Sequence, residues 1–266
     1  MGQSEKLPRA SRPVCRGLVI DKDFNIVSFP FTKIHNYGVE SDAPEFDPDE
    51  MVFASRKVNG FMIACTWHND GLLWSTTGSL NSDFIGYAKE MYDKYVNKKK
   101  FEQLLRVTPN LTHIFECVNP KDPHIVDEEP GLHFIGCREK EIGSEISLMS
   151  KEEECLMWDG FGIRSVETYE LPFHQLLDTV KTVKHEGFVF RSMDGSRISK
   201  MKSPHYLSKK ALMRGNFEKF TDQYAKVRLD EEFYPLWNYI QEVDKEYFFQ
   251  LDDSARREYI EKWFGV

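Results

Sequence analysis

The chain has 266 residues, 41% of them hydrophobic and 29% charged, with 43 acids against 35 Lys and Arg and a formal net charge of −8. That length suits one large domain, or one domain with a small appendage, and the apolar content is enough for a packed core, which excludes wholesale disorder. No run of about 18 apolar residues occurs, so no transmembrane span is expected. The N-terminal MGQSEKLPRASRPVCRG lacks the apolar centre of a secretory signal, and Lys6 stands where a myristoylation motif needs Ser or Thr. Five widely spaced cysteines (Cys15, Cys65, Cys117, Cys137, Cys155) form no CxxC pair and no zinc-type cluster. They read as reduced thiols of a cytoplasmic protein. The acidic total opposes a surface coated in positive charge but leaves room for a local basic groove.

In chain order, RGLVID (16–21) and NIVSF (25–29) flank a polar turn at Asp21-Lys22-Asp23 and predict a hairpin. MVFASRK (51–57), GFMIACTW (60–67) and LLWSTT (72–77) follow, separated by Val58-Asn59 and by His68-Asn69-Asp70-Gly71. The stretch 51–77 therefore reads as an antiparallel meander. Asn81 or Ser82 caps a helix over about 83–96, with Phe84, Tyr87, Ala88, Met91 and Tyr95 on one face. A second short helix holds Phe101, Leu104 and Leu105, and strands return at LTHIFECV (111–118) and LHFIGCR (132–138). Ser150 and Glu153 form a capping-box pattern before a helix with Leu156, Met157 and Trp158. Leu176, Leu177 and Val180 suit another helix, and GFVFRS (187–192) pairs with SRISKMK (196–202) around Met193-Asp194-Gly195. From about residue 204 the apolar spacing is helical: Phe217, Phe220, Tyr224, then Phe233, Leu236, Trp237, Ile240, Val243, then Tyr259, Ile260, Trp263, with Asp230 and Asp252 as N-caps.

One set of residues stands above background. Lys57 ends a strand before Val58-Asn59-Gly60, Glu116 lies in FECV, Glu186-Gly187 opens GFVFR, and Lys200 and Lys202 are two apart. That last spacing puts both lysines on one sheet face. A nucleophilic lysine must be neutral to attack, and neighbouring cations and desolvation favour the neutral form. Lysines and a metal ion neutralise the charge that builds on a phosphorus centre losing pyrophosphate. A carboxylate can accept from ribose hydroxyls, and another can hold a hydrated magnesium ion. His68, His113, His124 and His205 show no metal-ligand spacing, and Lys98-Lys99-Lys100 reads as a solvated helix terminus. Lys209, Lys210, Arg214 and Lys219 read as a solvated helix face with an RNA path as the alternative, and Asp42, Glu45, Asp47, Asp49 and Glu50 as a solvent-facing acidic loop.

In order and spacing these elements resemble the covalent nucleotidyltransferases, and specifically the RNA ligase 1 family of the T-even bacteriophages. Arg16-Gly17 resembles the family's opening Arg-Gly, and Lys33-Ile34-His35-Asn36 its Lys-aromatic-Asn element. Lys57-Val58-Asn59-Gly60 resembles the nucleotidyl-lysine motif KxDG, Thr77-Gly78-Ser79 partly matches a Lys-Gly-Ser segment, and Phe115-Glu116-Cys117-Val118 resembles Phe-Glu-Phe-Val. His133-Phe134-Ile135-Gly136-Cys137-Arg138-Glu139 matches a short apolar strand ending in Arg-Glu, Glu186-Gly187-Phe188-Val189 the Glu-Gly-hydrophobic-Val motif, and Lys200-Met201-Lys202 the closing Lys-x-Lys. The resemblance runs from about residue 15 to 207. Asn59 in place of the motif aspartate keeps size and a carbonyl acceptor but loses a charge. Thr77 in place of lysine removes a phosphate-binding charge.

The resemblance implies an α+β fold: an adenylyltransferase domain of antiparallel sheets and helices over 1–207, with a helical C-terminal module over 208–266. It implies an ATP-dependent RNA ligase using Mg2+ or Mn2+, acting on RNA with 5′-phosphate and 3′-hydroxyl ends, as in repair of a cleaved tRNA-like stem-loop. Lys57 would form lysyl-AMP within the motif that includes Asn59 and Gly60. Glu116 would bind the ribose, and Glu186 would organise metal and water. Lys200 and Lys202 would contact the α-phosphate. Arg16 and Lys33 would contact the outer phosphates or orient pyrophosphate. Phe134 or Ile135 would pack on adenine, depending on which faces the pocket. A monomer in the cytoplasm (the host's, for a viral protein), without membrane partners, is the accompanying expectation. Capping-type, DNA-ligase-type or protein-AMPylating transferases are the rival enzymes; the first two normally continue into an OB domain, where this chain reads as helices. A degenerate nucleotide- or RNA-binding protein is the rival outside enzymes, and Asn59 is the feature that favours it.

Overall fold

The computed structural model describes residues 15–144, 146–147, 157–213 and 219–266. The Ser150–Glu153 capping box, Cys155, Leu156, Arg214 and Phe217 lie outside the described residues. The fold is α+β with antiparallel sheets, in two compact units that interleave along the chain. Among the described residues, the first takes those of 15–34, 60–123 and 128–168; the second takes those of 35–59, 124–127 and 169–266.

In the first unit, β1 (Val19–Ile20) and β2 (Ile26–Ser28) form the expected hairpin. A five-stranded sheet has the order β5-β4-β6-β7-β8, with β4 Phe61–His68, β5 Gly71–Ser75, β6 Leu111–Val118, β7 Gly131–Glu139 and β8 Ile146–Ser147. Helices α1 (Asp83–Tyr95) and α2 (Lys98–Val107) pack on it. The buried face of α1 is Ile85, Ala88, Met91 and Tyr92, while Phe84 and Tyr95 are exposed. The expected face is thus rotated: Ala88 and Met91 are buried as expected, but Ile85 and Tyr92 take the core in place of Phe84 and Tyr95. Asn97 caps α2 by accepting from the Lys100 N–H at 3.3 Å, and Lys98, Lys99 and Lys100 are exposed in the first turn. Phe101 contacts Trp74, Tyr92 and Phe115, joining helix to sheet.

His113 on β6 is buried against the Trp158 ring, and burial pushes its pKa down to about 4 from 6.5, with Lys140 adding to the effect. Its Nδ1 has no hydrogen-bond partner among the described residues. The folded state therefore holds a neutral imidazole that the unfolded chain protonates at about 6.5. The associated stability is present above pH 6.5 and is lost as pH falls through about 4. Urea midpoints measured between pH 7 and 4 are expected to fall in the wild type and to flatten in His113→Phe.

The second unit holds the four-stranded sheet β11-β10-β3-β9, with β3 Met51–Lys57, β9 Thr168–Pro172, β10 Gly187–Ser192 and β11 Ile198–Lys202. The β10–β11 hairpin is as expected; the 51–77 meander is not. β4 and β5 pair, but β3 pairs with β10 and lies in a different sheet from β4. Two-residue hairpin turns need residues with positive φ. Asn69 (φ 49°) and Asp70 (φ 58°) supply them between β4 and β5. Between β3 and β4, β-branched Val58 disfavours that geometry, and among the described residues neither Val58 nor Asn59 has positive φ.

One face of the β3–β10–β11 sheet is apolar. Val52, Ala54, Phe188, Phe190 and Met201 pack with Phe46 and with Phe173, Leu176 and Val180 of α3 (Phe173–Thr182). The acidic loop beside it is exposed at Asp42, Glu45, Asp47 and Asp49, whereas Glu50 is partly buried in an ion pair with Arg197.

After β11 the chain is helical, as the spacing predicted: α4 (Pro204–Leu212), α5 (Tyr234–Glu242), α6 (Lys245–Gln250) and α7 (Asp253–Phe264). Phe220, Phe233, Leu236, Ile240, Phe248 and Ile260 form their core with Ala211 and Leu229. Asp252 caps α7, accepting from the Ala255 N–H at 2.8 Å. Asp230 precedes a single 3-10 turn, Glu231–Phe233, but makes no side-chain cap.

Candidate nucleotidyl-transfer site

Strand register places the lysines. Gly187 on β10 lies opposite both Lys57 on β3 and Lys202 on β11, and Val189 lies opposite Ser55 and Lys200. Side chains alternate along each strand, so Lys57, Lys200 and Lys202 share the face opposite the apolar core. Gly187, between Lys57 and Lys202, has φ +141°, and a Cβ there would stand 2.1 Å from the Met201 carbonyl oxygen and 2.8 Å from the Lys202 Cα. Only glycine fits, and it leaves the row open between the two lysines.

Glu186, immediately before β10, is buried and lies against Lys57 and Lys202. Its Oε2 lies 3.1 Å from Lys57 Nζ and accepts from Asn59 Nδ2 at 3.0 Å. Its Oε1 lies 3.9 Å from Lys202 Nζ. The orientation of the Asn59 amide follows from its other end: Oδ1 accepts the backbone N–H groups of Ile125 at 3.0 Å and Val126 at 3.2 Å, so the NH2 must face the carboxylate. Lys200 holds the edge of the sheet through its backbone, donating to His35 O at 3.0 Å and accepting from Tyr37 N at 2.8 Å.

The sequence reading missed one partner. Glu232, on the 3-10 turn, has a side chain only 8% exposed, and its Oε1 is 2.6 Å from Lys202 Nζ and 2.7 Å from Lys210 Nζ. Asp230 Oδ2 is 2.5 Å from Lys210 Nζ. Lys210 is therefore neither on a solvated face nor free for an RNA path; Lys209 is exposed, and Lys219 donates to Arg228 O at 3.2 Å. Burial pushes Lys202 down against the pull of Glu232 and Glu186. Burial also works against Lys210, but Glu232 and Asp230 outweigh it and the pKa is raised. Burial opposes the Glu232 charge too, yet Lys202 and Lys210 hold its carboxyl at about 2.

The remaining residues of the set lie in the other unit. Gly60 packs so closely on β6 that a Cβ would stand 2.4 Å from the Cys117 carbonyl oxygen, and its N–H donates to Glu116 Oε1 at 3.2 Å. Phe134 is 4% exposed and stacked on Trp158 with centroids 4.1 Å apart, which makes it a core residue. Ile114 pairs with Gly136 and Phe115 with Phe134, so Ile135 is the unpaired residue of a bulge, and it is half-buried. Arg16 is exposed in a turn, and Lys33 is half-buried.

Among the described residues no three His, Cys, Asp or Glu gather into a metal site. Magnesium needs no such cage, since one or two carboxylates with phosphates and water suffice.

Comparison with known proteins gives one family and one fold. A family model described as RNA ligase matches residues 14–234. Two forms of an archaeal ATP-dependent RNA ligase superpose with a TM-score of 0.58, at 15% and 14% identity, covering 94% of this chain and 66% of theirs. A candidate ATP-dependent DNA ligase from Aquifex aeolicus also gives 0.58, at 16% identity, covering 95% of this chain and 68% of that one. The chain thus spans slightly less than two thirds of the archaeal ligase it matches.

Proposed function

The chain belongs to the RNA ligase family, and from that premise we propose that it is an ATP-dependent RNA ligase joining 5′-phosphate to 3′-hydroxyl ends. The observation that carries this reading is the one sheet face shared by Lys57, Lys200 and Lys202, with Glu186 against Lys57 and Lys202.

Lys57 loses its ammonium proton to water and attacks the α-phosphorus of ATP, and the nitrogen sheds a second proton to water as it becomes the phosphoramidate. A P–N bond forms, the bond to the bridging oxygen of the β-phosphate breaks, and pyrophosphate leaves. Lys202 and Lys200 meet the charge that builds on the α-phosphate. The RNA 5′-phosphate then displaces lysine from the adenylyl phosphorus, giving an RNA-adenylate and restoring the amine. The 3′-hydroxyl attacks the RNA 5′-phosphorus, AMP leaves, and the hydroxyl proton is lost.

By resemblance, Glu116 is assigned to the ribose and Arg16 and Lys33 to the outer phosphates. Of the pair weighed for adenine packing, Ile135 is the one assigned, since Phe134 is committed to the core. Glu186 would hold a magnesium or manganese ion, which when bound neutralises phosphate charge. An RNA-repair role on tRNA-like stem-loops in the cytoplasm accompanies this reading; Cys15, Cys65, Cys117 and Cys137 form no disulfide among the described residues, in keeping with a reducing compartment. No helix among the described residues is long and apolar enough to cross a membrane. Residues 208–266 are assigned as the family-variable helical module.

The test is a joining assay on single-stranded and nicked stem-loop RNAs carrying 5′-phosphate and 3′-hydroxyl ends. Sealed product with ATP, preceded by RNA-adenylate, is expected. Labelling with GTP in place of ATP would turn the reading to capping chemistry. No joining and no RNA-adenylate on either substrate would overturn it.

A further inference from the structure

We infer that Glu232 is a positioning residue for nucleotidyl transfer, tying the ammonium group of Lys202 to the C-terminal helical core. The inference rests on the ligase reading of the Lys57 face. It comes from a contact that no motif contains.

Lys202 and Lys210 stand at 2.6 and 2.7 Å from the same Glu232 oxygen, so the two ammonium groups are close neighbours. Without an anion between them they repel, and Lys202 has Glu186 only at 3.9 Å as a second carboxylate. Glu232 cancels the repulsion and fixes where the Lys202 charge sits. Its own position is set from the other side. The next residue, Phe233, is fully buried among Phe220, Leu236, Ile240, Phe248 and Ile260. Lys210 is in turn carried by α4, whose N-cap Ser203 directly follows Lys202: Ser203 Oγ accepts from the Tyr206 N–H at 3.1 Å, and its N–H donates to Glu186 O at 2.9 Å. The helical segment is thereby wired to the lysine that meets the α-phosphate, and misplacing a reacting group by about 1 Å costs on the order of a hundredfold in rate.

A double-mutant cycle on the full chain tests this. Single-turnover formation of the lysine adduct is followed at saturating ATP and magnesium for the wild type, Glu232→Gln, Lys202→Ala and the double variant. Glu232→Gln keeps the shape and an oxygen acceptor while removing the charge. It is expected to slow adduct formation roughly a hundredfold in the wild-type background and to add nothing in the Lys202→Ala background, with ATP affinity changed less than rate. Equal slowing in both backgrounds, or none in either, would overturn the inference while leaving the ligase reading intact. No adduct in the wild type would overturn both. If Glu232→Gln does not fold, the charge-balanced Glu232→Gln/Lys210→Gln pair takes its place in the same cycle, with the same expected dependence on Lys202.

Discussion

Lys57→Ala is expected to gain no adenylyl group on incubation with ATP and magnesium, whereas the unaltered chain is expected to gain one, read by intact-mass spectrometry. No second amine on that face can stand in. Lys202 is held by Glu232 at 2.6 Å, and Lys200 lies opposite Val189, a row away from Lys57. Lys57→Arg is the sharper variant. It keeps a cation beside Glu186, but a guanidinium does not deprotonate and offers no nucleophile. It should be as inactive as the alanine variant while folding better. The alanine variant leaves a buried carboxylate with one partner fewer and is expected to lose roughly 1–3 kcal/mol, read as a lower urea midpoint. Pre-adenylylated RNA supplies the product of the first two steps, so both variants should still seal it. Failure there as well would mean that Lys57 matters for shape rather than as the nucleophile. An adduct of normal yield in Lys57→Arg would remove Lys57 from the chemistry.

What could be read in the sequence was whatever depends on short-range pattern. The β10–β11 hairpin follows from two alternating runs around Met193-Asp194-Gly195, and the shared face of Lys200 and Lys202 from a spacing of two. Gly60 and Gly187 stood out as motif glycines, and close backbone approach to Cys117 and to Met201 explains both. The failures are long-range. β3 and β4 sit only a few residues apart and read as a hairpin, but β-branched Val58 disfavours positive φ, and Val58-Asn59 do not make the tight turn that Asn69-Asp70 makes. That Ile135 is the extra residue of a bulge was equally hidden, since a single extra residue leaves no trace in alternation. Glu232 was invisible because Asp230-Glu231-Glu232 looks like any solvated acidic run. Its partners, Lys202 and Lys210, stand on other elements.

Asn59→Asp restores the residue of the motif that this chain resembles, and it is nevertheless expected to slow lysine adenylylation. Asn59 Oδ1 is already committed to the Ile125 and Val126 N–H groups, a role that aspartate performs equally well. The change falls on the other atom. Where Nδ2 now donates to Glu186 Oε2 at 3.0 Å, aspartate would place a second carboxylate oxygen. A hydrogen bond becomes a like-charge contact in a buried setting, relieved only by a proton or by a cation drawn between the two groups. Lys57 Nζ, 3.1 Å from the same Oε2, is the nearest cation. Gripped by two carboxylates instead of one, its ammonium is less ready to yield the amine that attacks. A contact of this kind is worth about 1–3 kcal/mol, which as a barrier corresponds to roughly fivefold to 160-fold in rate. Asn59→Ala should behave differently. It leaves two buried backbone N–H groups without an acceptor, and the larger loss should appear in the unfolding midpoint. Single-turnover adduct formation and urea unfolding, measured on both variants, separate the two effects. A faster Asn59→Asp enzyme of unchanged stability would show that asparagine attenuates the reaction here, and that the Asn59–Glu186 hydrogen bond holds the site back rather than readying it.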